Sequence, residues 1–250
     1  MGVADCAKTK LHACHTKHST RGLNFMNTSL QPLCTKQLFA PNHTIAWEFI
    51  SRHTYPWETL PEIATFILEL GATLDTSEFE KRGENTWIHK TANVAPSAFL
   101  GSGVIIDAEA EIRHCAYIRG GAIVGKNSVV GNSCELKNAI LFDSSQAAHF
   151  NYVGDSILGH KAHLGAGVIT SNLKSDGSPV AVTFGSEKIK AGLRKFGAIL
   201  GDNVEVGCNA VLNPGCVVGA GAVIYPLSMV RGFVPPNSIY KKQGEVVNKV

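Results

Sequence analysis

The residues best suited to chemistry in this chain are a histidine and two cations. His149 opens a seven-residue segment, 149–155, and a neutral imidazole can accept a proton near neutral pH. Arg119 and Lys137 lie upstream, eighteen residues apart, and both side-chain types bind phosphate through charge-assisted hydrogen bonds. These residues suit a base-assisted reaction of a phosphorylated substrate if the fold brings them together.

A six-residue repeat predicts the elements that position them. Large aliphatic residues recur at this interval in two runs, a period that neither a helix nor an ordinary strand has. The residue two positions before each aliphatic is mostly small, and the residue after it is often glycine. Such a unit forms one side of a prism, and three sides form one coil of a stacked solenoid. The runs are Ile88, Val94, Leu100, Ile106, Ile112, Ile118, Val124, Val130 and Leu136, then Leu200, Val206, Leu212, Val218, Ile224 and Val230.

The period has two consequences for the candidate site. Arg119 and Lys137 are one coil apart, so they should project near each other from the same edge. Five to six coils are expected, and the repeat is interrupted at residues 138–156 and 171–197. We expect these interruptions to be loops on one edge of a rigid scaffold, where functional sites are commonly built.

The remaining sequence divides into flanking segments. Pro61, followed by an apolar face and then Gly71, predicts a short helix that covers the open strand edges of the first coil. Residues 1–36 are basic and lack an apolar period; we expect disorder there, with Met26 as the alternative start and an organelle transit peptide as the alternative role. The predicted divisions are a leader at 1–36, a helical cap at 37–85, the solenoid at 86–240 and a tail at 241–250.

Composition limits the class of protein. A net charge of +3 and a pI near 8.4 suit anionic small molecules but fall short of a nucleic-acid-binding surface. Seven cysteines without paired spacing favour a reducing compartment, and we expect a cytoplasmic protein. No apolar stretch reaches the ~18 residues of a membrane span. Only 17% of the residues are charged, which favours burial of one prism face against copies of the chain.

A family resemblance rests on residues 149–155 and 164–170, on Asn172, and on Arg119 and Lys137 at matching distances upstream. These segments resemble the C-terminal acetyltransferase domain of the glucosamine-1-phosphate N-acetyltransferase / N-acetylglucosamine-1-phosphate uridylyltransferase family. The loop after Asn172 most resembles the archaeal-type sugar-phosphate nucleotidylyltransferase/acetyltransferases. The resemblance implies a left-handed parallel β-helix, a homotrimer, and acetyl-CoA-dependent N-acetylation of an amino sugar-1-phosphate without a metal.

The resemblance also implies substrate roles for individual residues. His149 would be the general base, and Arg119 and Lys137 would bind the phosphate. Tyr152 and Asn172 would contact the substrate, although core packing and turn chemistry explain these two residues as well. Family members commonly carry Asn near the amino sugar at the position of His163, so this departure leaves the identity of the acceptor open.

Four further residues would contact coenzyme A. Arg231 matches a cofactor-contacting Arg of the family, while Arg194 and Lys195 could reach the cofactor phosphates. The backbone at Ala166, between two glycines, could approach the thioester and its developing oxyanion, although a turn explains those glycines equally well.

Two other functions are compatible with the same fold. A zinc hydratase of the γ-carbonic-anhydrase type could use His114 and His149, thirty-five residues apart, but the third expected ligand is absent from the segment after His149. A non-catalytic subunit that binds a sugar nucleotide and regulates another chain is the other alternative. Uridylyl transfer is not expected, because no Gly-rich nucleotide-binding segment precedes the repeat.

Overall fold

The computed structural model describes residues 28–249, which form an all-β solenoid of about nine turns preceded by a helical segment. The helical segment contains 3₁₀-helices at Thr28–Leu33 and Pro56–Thr59 and the α-helices α1 (Thr35–Leu38), α2 (Trp47–Ile50) and α3 (Ile63–Thr73). Among residues 28–249, no helix combines the length and the apolar character that a bilayer span requires.

The strands are short and follow one another at regular intervals. They are β1 (Phe79–Arg82), β2 (Thr86–His89), β3 (Asn93–Val94), β4 (Phe99–Leu100), β5 (Val104–Ile106), β6 (Glu111–Ile112), β7 (Tyr117–Ile118), β8 (Ala122–Val124), β9 (Val129–Asn132), β10 (Glu135–Leu141), β11 (Gln146–His149), β12 (Tyr152–Leu158), β13 (His163–Leu164), β14 (Ile169–Thr170), β15 (Ala181–Phe184), β16 (Glu187–Lys190), β17 (Ala198–Leu200), β18 (Glu205–Val206), β19 (Val211–Leu212), β20 (Cys216–Val218), β21 (Val223–Ile224), β22 (Met229–Val230), β23 (Phe233–Val234), β24 (Ser238–Lys242) and β25 (Glu245–Asn248).

Parallel pairing arranges these strands into three faces of a prism. The first face runs β2-β5-β8-β10-β12-β17-β20-β23, the second runs β3-β6-β9-β11-β13-β18-β21-β24, and the third runs β4-β7-β10-β12-β14-β19-β22. The long strands β10 and β12 turn a corner, so each contributes to both the third face and the first. The predicted left-handed parallel β-helix is confirmed.

The aliphatic residues of the six-residue repeat form the interior of this prism. Consecutive coils align them in register, as in the pairs Ile88 with Ile106 and Ile118 with Leu136. Of the fifteen predicted positions, only Val94 and Leu100 at the first coil are partly exposed. Each fully buried aliphatic side chain contributes about 1.5–3 kcal/mol through the hydrophobic effect, so the stacked interior is the main source of stability.

One predicted interruption of the repeat is wrong. Residues 138–156 form regular structure, because they contain the second half of β10, all of β11 and most of β12. Two successive coils are each one residue shorter here. Ala122 pairs with Ala139 and Ala139 pairs with Ser156, each seventeen residues later, whereas Val104 pairs with Ala122, eighteen residues later. The shorter coils shift the six-residue spacing without unwinding the solenoid, which also explains why the prediction of five to six coils was too low.

The second interruption is a true excursion from the coil. Residue Ile157 pairs with Ile199, forty-two positions later. The intervening chain makes the antiparallel hairpin β15–β16. This hairpin packs against strands β20 and β23 of the first face.

The helical segment covers a side of the prism rather than its end, which corrects the predicted cap. The first face presents aliphatic side chains both inward and outward, and the outward ones include Ile105, Ile123 and Ile140. These residues are fully buried because α3 lies across β5, β8 and β10. Parallel strands buried on both sides are typically continuous aliphatic runs, and the sequence of β5, Val-Ile-Ile, has this character.

Helix α3 lies where the sequence predicted it but continues past Gly71 to Thr73. Gly71 is therefore an internal helix residue and not a stop signal. A Cβ atom at this position would lie 2.5 Å from the Trp87 indole, so glycine allows the helix to approach strand β2 closely. The role of Gly71 is packing between the helix and the first coil.

The ends of the chain also differ from the prediction. Residues 28–36, expected to be disordered, belong to a 3₁₀-helix and α1, and their apolar Leu33 is fully buried. The expectations for residues 1–27, including Met26 as the start, lie outside the described residues. The predicted tail contains strand β25, which pairs antiparallel with β24 and covers the last strand edge of the second face.

Candidate active site

The candidate site lies on the outer surface of the third face. Strand residues alternate in direction, so inward-facing Leu136 is flanked by outward-facing Glu135 and Lys137. Glu135 is in register with Tyr117 on one side and Tyr152 on the other. Successive coils therefore stack polar side chains directly above one another on this face.

Arg119 and Lys137 occupy adjacent coils, as the eighteen-residue spacing requires. They follow the paired residues Ile118 and Leu136, and the Arg119 N–H donates to the Leu136 carbonyl at 2.9 Å. Each cation is paired with a carboxylate that the sequence analysis did not identify. Arg119 Nη1 lies 2.9 Å from Glu135 Oε1, and Lys137 Nζ lies 3.0 Å from Asp155 Oδ2.

The two ion pairs differ in solvent exposure. The Arg119 side chain is 45% exposed, and its hydrogen bond to Glu135 raises the pKa of the guanidinium. The Asp155 side chain is only 7% exposed, and that of Lys137 is 24% exposed. Screening by water weakens the first pair, so the Lys137–Asp155 pair is the more strongly coupled of the two.

Asp155 joins four polar side chains into one hydrogen-bonded network. Its carboxylate accepts hydrogen bonds from Lys137 Nζ, Asn138 Nδ2 and Asn172 Nδ2. Asn172 also donates to the Tyr152 hydroxyl at 3.1 Å. Tyr152 and Asn172, selected separately in the sequence, are thus in direct contact. We call Lys137, Asn138, Asp155, Asn172 and Tyr152 the polar network.

Local geometry fixes the polar network in place. A Cβ atom on Gly154 would lie 2.5 Å from the Tyr152 hydroxyl and 2.8 Å from Asn172 Nδ2, so glycine leaves the space that these groups fill. Burial raises the pKa of Tyr152, which keeps its hydroxyl protonated at neutral pH. Asn138 additionally donates to the Leu60 carbonyl at 3.0 Å, which ties the network to the helical segment.

His149 lies at the corner where the second face meets the third. It ends strand β11 opposite Asn132, and Tyr152 begins β12 three residues later. Asn151 holds this corner, because its Oδ1 accepts from the His149 N–H at 3.1 Å and its Nδ2 donates to the Gly165 carbonyl at 2.8 Å. The His149 imidazole is exposed and has no hydrogen-bond partner within residues 28–249.

His163 is not part of the polar network. It lies on the second face in register with Gln146 and Glu205. Its Nδ1 is 2.8 Å from Glu205 Oε2, an ion pair when the imidazole is protonated. The structure therefore separates His163 from Lys137 and Asn172, although it shares a face with His149.

The proposed cofactor residues fall into two groups. Arg231 lines a groove of about 480 Å³ together with Lys174 and Lys188, two cations that the sequence analysis did not select. Arg194 and Lys195 do not line this groove; both are exposed in the excursion, where Lys195 bridges to the Leu173 backbone. The cationic groove consists of residues from the excursion and from the last coils of the third face.

Ala166 lies at the corner one coil after His149. Its carbonyl accepts from the Asn209 N–H at 2.8 Å, and the neighbouring Gly167 N–H donates to the His149 carbonyl at 3.0 Å. Gly167 has a φ of 75°, and a Cβ atom there would clash with Asn209 Oδ1. The turn and this close approach account for Gly167, and the Ala166 N–H has no intramolecular backbone partner in the described chain.

Within the described residues, no three His, Cys, Asp or Glu side chains are grouped to bind a metal ion. His114, considered above as a zinc ligand, instead forms hydrogen bonds with Ser97 and Cys115.

The chain is similar to known proteins over the solenoid. Residues 102–223 match the family described as the GMPPB C-terminal domain. The chain is 38% identical over 135 residues to the bifunctional protein GlmU of Methanococcus maripaludis, covering 54% of this chain and 33% of that protein. It is 32% identical over 167 residues to a bifunctional sugar-1-phosphate nucleotidylyltransferase/acetyltransferase of Sulfurisphaera tokodaii, covering 60% and 42%.

Among solved structures, the polySia specific acetyltransferase NeuO aligns with 66% of this chain and 83% of its own, at 16% identity and a TM-score of 0.42. The chain spans about a third of the length of the GlmU proteins that it matches. The predicted resemblance to the C-terminal domain of GlmU-like proteins is confirmed.

Proposed function

We propose that this protein is an acetyl-CoA-dependent N-acetyltransferase acting on an amino sugar-1-phosphate in nucleotide-sugar synthesis. The observation that carries the proposal is the series of hydrogen bonds from Tyr152 to Asn172, from Asn172 to Asp155 and from Asp155 to Lys137, with His149 at the adjoining corner. The similarity to GlmU proteins supports the same class of reaction.

In the proposed reaction, His149 acts as the general base. The amine of the acceptor attacks the thioester carbonyl of acetyl-CoA, and the His149 imidazole takes the proton that this nitrogen loses. The carbon–sulfur bond then breaks, and the leaving thiolate takes that proton from the His149 imidazolium, which restores the neutral base and releases the coenzyme as the thiol. The exposed imidazole, free of intramolecular hydrogen bonds in the described chain, is available for this transfer.

Arg119 and Lys137 would bind the phosphate of the acceptor. They project from neighbouring coils of the third face, and two cations at one edge match the charge of a phosphate monoester. Binding would replace the exposed contact between Arg119 and Glu135 at little cost, while Lys137 stays oriented by Asp155. Asn172 and Tyr152 would hydrogen-bond to the sugar.

Coenzyme A would lie in the groove lined by Arg231, Lys174 and Lys188. These three cations line a groove of about 480 Å³ that also contains Asp176, 3.9 Å from Lys174 Nζ, and the remaining positive charge suits the phosphates of the cofactor. Ala166, next to the His149 corner, would present its N–H to the oxygen of the tetrahedral intermediate. Arg194 and Lys195 would contribute only from outside the groove.

We also propose a homotrimer in the cytoplasm. Apolar side chains are exposed on the outer surface of the third face, at Phe99 and Tyr117 of neighbouring coils and at Met229 near its last coil. Burial of this face between copies of the chain would cover them. The five cysteines of the described chain are all free thiols, which agrees with a reducing compartment.

One observation favours the alternative of a non-catalytic sugar-nucleotide-binding subunit. Both candidate phosphate-binding cations already have carboxylate partners, and the His149 imidazole has no orienting partner in the described chain. A regulatory subunit would bind a sugar nucleotide without turning over acetyl-CoA.

The two functions are separated by one assay. The protein is incubated with acetyl-CoA and a panel of amino sugar phosphates, and the release of free thiol is followed. Transfer to an amino sugar-1-phosphate supports the acetyltransferase. The absence of turnover across the panel, together with tight binding of a sugar nucleotide, would establish the regulatory subunit instead.

A further inference from the structure

Three side chains with nucleophile chemistry lie together away from the polar network. His114 Nε2 is 3.2 Å from the Cys115 thiol sulfur, and His114 Nδ1 is 2.6 Å from the Ser97 hydroxyl. The Ser97 oxygen also accepts from the Cys115 N–H at 3.3 Å. A sulfur nucleophile, an imidazole and an orienting hydroxyl thus form one continuous chain, the arrangement by which a base activates a nucleophile.

The hydrogen bonds fit one tautomer of the imidazole. A hydroxyl oxygen has two acceptor lone pairs, and Ser97 Oγ can use them for the Cys115 N–H and for an N–H at His114 Nδ1. Nε2 then carries a lone pair, and it faces the Cys115 thiol. The imidazole is therefore placed to accept the thiol proton, while Ser97 acts as a positioning residue.

The thiol is open to solvent. Ser97, His114 and Cys115 are all exposed, and Cys115 occupies a corner with a φ of 57°. The same left-handed corner conformation recurs at Ser133 and Phe150 on the next coils, so the turn of the solenoid directs Cys115 outward without local unfolding. A reagent in solution can reach the sulfur directly.

The other cysteines of the described chain lack this combination. Cys216 is fully buried, and burial raises its pKa to about 12, which makes the thiol inert at neutral pH. Cys208 is exposed near the same edge of the prism, but it has no imidazole within hydrogen-bond distance in residues 28–249. Cys208 is therefore a matched internal control for exposure without a base.

We infer that Cys115 is a modification site that forms mixed disulfides with low-molecular-weight disulfides, with His114 as the proton acceptor. The Cys115 sulfur attacks one sulfur of the disulfide as its proton moves to His114 Nε2. The disulfide bond breaks, and the leaving thiolate takes the proton from the imidazolium. The Cys115 sulfur is oxidised, the small disulfide is reduced to one thiol and one mixed disulfide, and no further oxidant is consumed. This inference does not depend on acetyl transfer.

The test uses glutathione disulfide with the full-length native protein at pH 7. Modification of each cysteine is followed over time by mass spectrometry of peptides, which distinguishes Cys115 from Cys208 and from the cysteines outside residues 28–249. Because an adjacent base assists the attack, we expect Cys115 to react about tenfold faster than Cys208. In concentrated guanidinium chloride, where the cluster is lost, the two rates should converge.

Variants test whether His114 and Ser97 cause the faster reaction of Cys115. His114→Gln should slow Cys115 to the rate of Cys208, Ser97→Ala should slow it partly, and Ser97→Thr, which retains the hydroxyl, should restore it. Cys208→Ser should leave the Cys115 rate unchanged. Equal rates for Cys115 and Cys208 in the native protein, or an unchanged Cys115 rate in a folded His114→Gln variant, would overturn the inference; an unchanged thermal unfolding midpoint establishes that the variant is folded.

Discussion

Lys137 and Asp155 lie eighteen residues apart in the sequence, and in the structure Lys137 Nζ is 3.0 Å from Asp155 Oδ2. The same spacing separates Arg119 from Lys137. The two relationships arise differently. A coil of eighteen residues places Arg119 next to Lys137, whereas the following coil has seventeen residues and puts Gly154 in register with Lys137. Asp155 lies at the corner just after Gly154, and its side chain connects the members of the candidate site.

Asp155→Asn is expected to lower the free energy of unfolding by about 2–3 kcal/mol. The substitution replaces one carboxylate oxygen with an NH₂ donor facing Lys137 and Asn172, and it removes the counter-charge of the partly buried Lys137, which is costly. The backbone at Asp155 has a φ of 48°, which Asn tolerates, so strain does not confound the result. Urea unfolding measures the change.

Glu135→Gln is the matched control for this prediction. It removes the exposed partner of Arg119, a contact worth at most about 1 kcal/mol. If Glu135→Gln destabilises the protein as much as Asp155→Asn does, the assignment of Asp155 as the central acceptor of the polar network is wrong.

Ile140→Ala is expected to destabilise the protein by about 2–5 kcal/mol. The side chain is fully buried between the first face and the helical segment, and truncation leaves a cavity. Leu227→Ala, at a side chain that is 80% exposed, should change stability by less than about 0.5 kcal/mol. A small effect at Ile140 would show that the helical segment does not cover the first face.

Asp107 is expected to make stability fall as pH rises. Its Oδ2 is buried without a hydrogen-bond partner in the described chain, and burial raises the pKa of the carboxyl. The folded state then binds more protons than the unfolded state above the ordinary Asp pKa of about 3.9. The penalty is absent below that pH and develops as pH rises through the elevated pKa of the folded state.

Asp107→Asn tests the direction of this pH dependence, because the amide of Asn does not titrate. The variant should gain stability relative to the parent at pH 7 and lose that gain near pH 3.5, as measured by unfolding at both values. A difference between variant and parent that is the same at both pH values would contradict a titrating Asp107.

The cationic groove predicts a selective effect on the cofactor. Arg231→Met and Lys188→Met should each raise the KM for acetyl-CoA about five- to tenfold while leaving kcat nearly unchanged, because each removes one charge-assisted hydrogen bond to phosphate. Lys242→Met, which removes an exposed cation outside the groove, should leave both constants unchanged. Steady-state kinetics with acetyl-CoA as the varied substrate give KM and kcat for each variant. If all three variants change KM equally, the cofactor does not bind in the groove.

The sequence predicted the prism and its interior because inward aliphatic residues repeat every six positions. The prediction failed at residues 138–156, where two successive coils of seventeen residues shift the six-residue spacing but leave the hydrogen bonding between coils intact. The outward aliphatic residues, such as Ile105 and Ile123, are a signal of a covered first face that the prediction of an end cap did not use. Their partners on the helical segment could not be predicted, because contacts between distant segments leave no local period.

Part of the candidate site could likewise be predicted from the sequence, and part could not. The period correctly placed Arg119 and Lys137 on adjacent coils. It does not pair Lys137 with Asp155, because the next coil is one residue shorter and puts Gly154 in register with Lys137. Nor could the period reveal that Asn172 contacts Tyr152, because these residues are twenty positions apart and only their side chains meet. Nor could it place Lys174 and Lys188 at the cationic groove, because the hairpin β15–β16 lies outside the repeat.

The most direct test of the proposed function is the turnover of a His149→Ala variant with acetyl-CoA and an amino sugar-1-phosphate. We expect kcat to fall by about 10² to 10⁴ with substrate binding largely retained, because a general base contributes to the transition state and not to ground-state binding. His53→Gln, at a histidine of the helical segment, provides the control and should retain parental turnover. Full turnover by a folded His149→Ala variant would contradict the account.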